Sequence, residues 1–162
     1  MRTFSLAFVL AVASVLHAQP PKGDGPKADK PFDDITPRQI KELVDEGKTM
    51  AKLDGSDNKD NKIRPGTILI YVTNEKRYGK LKILEYGYNL TIQWVTYDKD
   101  GNVFSKRDHA VVKGTWEYDL DYGVEGDKGK SKVDFWWEQV DETNRFWIGQ
   151  NGAAFLVYEP KK

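Results

Sequence analysis

From Thr67 to Glu159 the chain is a succession of short runs rich in β-branched and aromatic residues, most of them closed by Gly, Asn or Asp. Connections this short join only antiparallel neighbours, because parallel strands need a crossover of a dozen residues or more. The runs are Thr67–Thr73, Lys80–Tyr86, Asn89–Tyr97, Val103–Lys106, Ala110–Leu120, Lys132–Val140, Arg145–Gly149 and Ala153–Glu159. Gly87, Asp98–Asn102 with its Gly101, and Asn151-Gly152 supply turns where positive φ is needed. No internal repeat is present. The expected fold is mainly β: a single antiparallel barrel or two-layer sandwich of about eight strands, spanning roughly Ile63 to Pro160, with one N-terminal amphipathic helix against it. Gly114-Thr115-Trp116 resembles the Gly-x-Trp run of lipocalin-like and avidin-like barrels, which implies a barrel.

Upstream the period changes. Thr36 is a good N-cap, Pro37 suits the first helical position, and Gln39 completes a capping-box spacing. Ile40, Leu43, Val44, Met50 and Ala51 then fall on one stripe, with Gly47 a weak point in the middle of the helix. Asp54–Asn61 reads as a polar loop. Before the helix, residues 19–34 are dominated by Pro, Gly and Lys and read as a disordered tether. Residues 1–18 carry one basic residue, Arg2, followed by an apolar stretch from Phe4 to Leu16. That stretch is too short to span a bilayer and reads as a removable signal peptide cut near Ala18. Residues 35–162 would then form the folded domain, secreted or periplasmic, with no membrane span after cleavage.

The 162 residues hold 25 basic and 25 acidic side chains, and loss of Arg2 leaves the mature chain at −1. Nothing here makes the broad positive field that nucleic acid requires. There is no cysteine, which excludes disulfides and a lipoprotein-type anchor. Stability must come from the core, and a 12 % aromatic content with five Trp suits that.

The last three runs can be aligned against one another. A four-residue loop, Asp141–Asn144, sets Trp137 opposite Ile148 and Glu138 opposite Trp147. The Asn151-Gly152 turn then sets Ile148 beside Phe155 and Phe146 beside Val157. One face becomes Phe135, Trp137, Phe146, Ile148, Phe155 and Val157, a coherent core. The opposite face holds Asp134, Trp136, Glu138, Arg145, Trp147, Leu156 and Tyr158. Aromatics among charges suit a sugar ring, which stacks its C–H face and needs acceptors for its hydroxyls. They suit a small apolar ligand as well. Trp136, Trp147 and Tyr158 are the expected contact surface, with Glu138 and Arg145 as polar partners. The competing reading covers this face with the helix or a second sheet and returns Trp136 and Trp147 to the core.

Chemistry beyond binding finds little footing. The mature chain has one histidine, His109, so His/Cys metal sites are excluded and no Ser-His nucleophile pattern surrounds it. His109 reads as an ordinary strand-edge residue. Glu117, Asp119, Asp121, Glu125 and Asp127 gather near one loop but match no Ca²⁺-loop spacing, and read as a solvated acidic loop. Asn89-Leu90-Thr91 is a glycosylation sequon of weak weight. No cofactor or metal is expected. The reading is an exported, non-catalytic module for an envelope ligand or protein. The alternatives are a small carboxylate-dependent hydrolase acting on envelope polysaccharide, and a structural envelope protein.

Overall fold

A computed structural model describes residues 30–126 and 132–160. The expected signal peptide, Asp127 and most of the expected tether lie outside the described residues. Two short helices, α1 (Lys30–Asp33) and α2 (Pro37–Asp45), precede ten strands. The strands are β1 (Lys52–Asp54), β2 (Ile68–Val72), β3 (Tyr78–Glu85), β4 (Leu90–Tyr97), β5 (Val103–Val112), β6 (Glu117–Asp119), β7 (Val124–Gly126), β8 (Phe135–Gln139), β9 (Arg145–Gly149) and β10 (Ala154–Val157). They form two five-stranded antiparallel sheets, ordered β10-β2-β3-β4-β5 and β1-β9-β8-β6-β7. The arrangement is sandwich-like and not a closed barrel: each sheet keeps two edges. Gly114-Thr115, which suggested a barrel, is instead where the chain leaves the first sheet for the second. Thr115 takes φ 65° there, and a Cβ on Gly114 would run into Tyr88.

The inner faces of both sheets share one core. Leu69, Tyr71, Leu81, Ile83, Ile92 and Trp94 come from the first sheet; Leu53, Tyr118, Phe135, Trp137 and Trp147 come from the second. Phe135 stacks on Trp147 at 3.8 Å between ring centroids, and Phe155 of the opposite sheet meets Trp147 edge-on at 5.2 Å. The first sheet is buried on its outer face too, where Phe32, Ile35 and Ile40 pack on Ile68, Ile70, Tyr78, Val95 and Tyr97. This explains why β2 reads as the unbroken apolar run Ile-Leu-Ile-Tyr-Val rather than an alternation. It also buries Lys80, whose ammonium donates to the carbonyls of Phe32 and Ile35. The last residues of the expected tether are therefore folded: Phe32 supplies the apolar group that pins α1 to the sheet.

Helix α2 starts as expected. Gln39 N–H donates to the Thr36 hydroxyl, and Thr36 N–H donates to the Gln39 side chain. It ends earlier. Gly47 at φ 70° follows the last turn and terminates it instead of weakening its middle. Met50 consequently leaves the helical stripe, is half-exposed, and forms a β-bridge with Phe155. The fourth expected strand and the start of the fifth are one continuous edge strand, β5, with register shifts that absorb the intervening residues, while the rest of the fifth is β6 in the other sheet. His109 is exposed on that edge.

The largest correction concerns register. Five residues, Val140–Asn144, separate β8 from β9, and Val140 N–H donates to the Asn144 carbonyl across the turn. Asp141 gathers the backbone N–H groups of Thr143 and Asn144 and the Asn144 side chain, which together hold its carboxyl far below the usual range. Trp137 therefore pairs with Trp147, and Glu138 with Phe146. The one-residue slip turns β9 over: Trp147 and Arg145 point to the inner side, Phe146 and Ile148 to the outer side. The Asn151-Gly152 turn does not make a hairpin with β9; it carries the chain across to the first sheet, where β10 pairs with β2.

This register predicts an order of stabilities. Trp147→Ala should cost about 3–5 kcal/mol, the range for emptying a buried aromatic site, while Phe146→Ala and Ile148→Ala cost clearly less. Urea unfolding of the three variants checks it; the reverse order would restore the four-residue loop.

Candidate functional site

The five residues expected to form one contact surface occupy four separate places. Trp136 and Glu138 lie on the outer face of the second sheet. Trp147 is fully buried against Phe135. Arg145 sits on the inner side at one end of the sandwich, where each of its three guanidinium nitrogens donates a hydrogen bond. Its guanidinium donates to the Gln139 side chain at 2.8 Å, the Tyr86 hydroxyl at 2.8 Å and the Glu142 carbonyl at 2.7 Å. Tyr158 belongs to the first sheet, partly buried beside Leu43, Leu156 and Glu46 in an open groove under α2.

What the outer face of the second sheet does present follows from strand pairing. One row runs Glu117, Trp136, Ile148, Lys52, and the next runs Glu138, Phe146, Asp54. Trp136, Phe146 and Ile148 are half-buried and adjoin one another. Carboxylates flank them, and Lys52 Nζ sits 3.5 Å over the Phe146 ring. One oxygen of Glu117, directly across from Trp136, is buried without a hydrogen-bond partner among the described residues. No described helix packs on this face, whereas the first sheet's outer face carries α1 and α2. Phe146 and Ile148 were missed as surface residues because a four-residue loop turned them inward.

A second cluster departs further from expectation. Asp119 and Asp121 are not solvated: with Asp134 they are 6 %, 1 % and 1 % exposed, and one carboxylate oxygen of each lies within 4.8 Å of the others. Asp134 clasps the two sheets. Its Oδ1 accepts from Asn74 N–H in the β2–β3 turn at 2.8 Å, and its Oδ2 accepts from Leu120 N–H after β6 at 2.7 Å. Asp119 Oδ1 accepts the N–H groups of Asp121 and Tyr122, which shapes the β6–β7 turn. Arg77 is the nearby cation, 3.0 Å from Asp121 and 2.6 Å from Glu75.

Burial pushes the Asp134 carboxyl up to about 7, against the pull of its two backbone hydrogen bonds and with the charges of Asp121 and Asp119 adding to the rise. Burial raises Asp119 as well, opposed by its own backbone bonds. Asp121 is raised for the same reason, opposed by Thr73 and Arg77. Asp134 was read as part of the aromatic face, and nothing local in the sequence joins it to Asp119 and Asp121. A turn that recruits Asp119 to two N–H groups was the only signal available. No known family model, curated protein or solved structure matches the chain.

A group with its pKa raised in the folded state contributes stability below its unfolded pKa and loses it as pH rises through the folded value. In chelator-containing buffer the midpoint of thermal unfolding should therefore fall as pH rises from 5 to 8. Asp134→Asn should flatten that slope, even if it lowers the midpoint throughout. A midpoint that rises across this range would contradict the raised Asp134 carboxyl.

Proposed function

We propose that this protein is an exported, non-catalytic carbohydrate-binding module that uses the outer face of the second sheet as its contact surface. The observation that carries this reading is the asymmetry of the sandwich: one outer face is closed by α1 and α2, and the other holds Trp136, Phe146 and Ile148 between Glu117, Glu138 and Asp54. An indole plate stacks on the C–H face of a sugar ring, and flanking carboxylates accept from its hydroxyls. Export rests on the leader pattern of residues 1–18, with its single basic residue and short apolar core.

The finer expected surface is revised accordingly. Trp136 and Glu138 stay, Phe146, Ile148 and Glu117 join them, and Trp147, Arg145 and Tyr158 drop out for want of access or position. The hydrolase alternative asks for two close carboxyl groups in a cleft, one with a raised pKa. Asp119, Asp121 and Asp134 meet the proximity and the raised pKa, but they are closed off from solvent, which favours the non-catalytic reading.

The test is titration of the full chain with a panel of soluble envelope and extracellular polysaccharides, followed by tryptophan fluorescence and calorimetry. Trp136→Ala should weaken binding about tenfold or more, the scale of one lost stacking contact, with the circular dichroism spectrum unchanged. Glu138→Gln should have a smaller effect. If no saccharide binds the wild type, or Trp136→Ala binds equally well, the face is not a carbohydrate site and the role passes to protein interaction or envelope structure.

A further inference from the structure

We propose that Asp119, Asp121 and Asp134 form a binding site for one divalent cation of the calcium class, seated where the β6–β7 turn meets the approach to β8. Three observations carry it, and none involves the ligand face.

The first is geometric. Oxygens bound to one Ca²⁺ at 2.3–2.6 Å can stand at most about 5 Å apart, whereas the limit for Mg²⁺ is about 4.2 Å. The three carboxylates offer oxygens within 4.8 Å of one another, inside the reach of one Ca²⁺. The second is the state of Asp121. Its side chain is 1 % exposed and its Oδ2 lies 3.0 Å from the Arg77 guanidinium, yet Oδ1 has no hydrogen-bond partner among the described residues. Asp119 and Asp134 each accept two backbone N–H groups, which fixes them in place while leaving lone pairs for a metal. Buried polar atoms are nearly always paired, and an unpaired Asp121 oxygen beside two further carboxylates is the donor set a cation would complete. The third is the charge balance. Three carboxylates face one guanidinium, and Arg77 already serves Glu75 at 2.6 Å and lies 3.8 Å over the Phe104 ring. Arg77 can release Asp121 to a metal and still keep two partners. The all-oxygen donor set favours Ca²⁺ over zinc or copper. The ion would join the turn after β6 to Asp134, and through Asp134 to the β2–β3 turn of the other sheet.

Isothermal titration of CaCl₂ into the chelator-stripped full chain should show one site per chain, with Kd about 10⁻⁴–10⁻³ M, the range of extracellular modules. The thermal midpoint should rise by about 3 °C or more at saturating Ca²⁺ over a NaCl control of equal ionic strength. Asp121→Asn keeps the side-chain shape and should weaken binding about tenfold or more, as should Asp119→Asn. Asp57→Asn, on an exposed loop, should leave it unchanged. Absence of both a binding isotherm and a midpoint shift in the wild type overturns the proposal without reference to any variant. So does undiminished binding by a folded Asp121→Asn, and Mg²⁺ binding as tight as Ca²⁺ overturns the assignment to the calcium class.

Discussion

The fold hangs on a stack of three aromatic rings. Phe135, Trp147 and Phe155 come from β8, β9 and β10, and they meet where the two sheets face each other. With no disulfide to hold the layers together, this contact and its apolar surroundings must do so. Each ring withdraws about 150–250 Å² from water, on the order of 4–6 kcal/mol of gross hydrophobic stabilisation apiece before ordering entropy is subtracted. The rest follows from seating Trp147 there. Its inward orientation sets the parity of β9, which sends Phe146 and Ile148 outward and gives the outer face of the second sheet its apolar centre.

The two outer faces are then finished differently. The first sheet is sealed by a thin helical layer, and a buried lysine from β3 reaches up to the carbonyls of that layer. The second sheet keeps a mixed surface of indole, phenyl and carboxylate groups. At one end of the sandwich a polar network replaces apolar packing. Tyr71 bonds Thr96, Thr96 bonds the Leu120 carbonyl, and Leu120 N–H bonds Asp134. The contacts that join the sheets and the open outer face therefore occupy different regions: the inner aromatics and the polar end link the layers, and the outer face is free of that duty.

What could be read from the residues was whatever is decided locally. The capping box at Thr36, the turn at Asp98–Asn102 and the bounds of β9 depend on hydrogen bonds or φ values within a few residues. The register of β8 against β9 does not. Phe-Trp-Trp and Arg-Phe-Trp-Ile place large apolar groups on both faces of each strand, so the hydrophobic pattern tolerates either parity. The decision fell to the length of one loop, fixed by four hydrogen bonds to Asp141. The acidic cluster was hidden for a similar reason. Asp119 and Asp121 look solvated in a run of Gly and charge, and only tertiary structure brings Asp134 to them. Lys80 is likewise buried only because α1 and the residues after it cover it. Of the candidate surface, only Trp136 and Glu138 were placed together by residues alone.

The strand order has a kinetic corollary. The first strand in the chain, β1, completes the second sheet beside β9, and the last, β10, completes the first sheet beside β2. Neither layer can close from a contiguous stretch of chain, and β1 and β10 touch each other through the Met50–Phe155 bridge. Such a topology has high contact order and pays loop-closure entropy before its contacts repay it. Phe155 lies on β10, so the aromatic contact cannot assemble until β10 has paired with β2. A chain wired this way gains little from either sheet alone, so its two layers must form together or not at all.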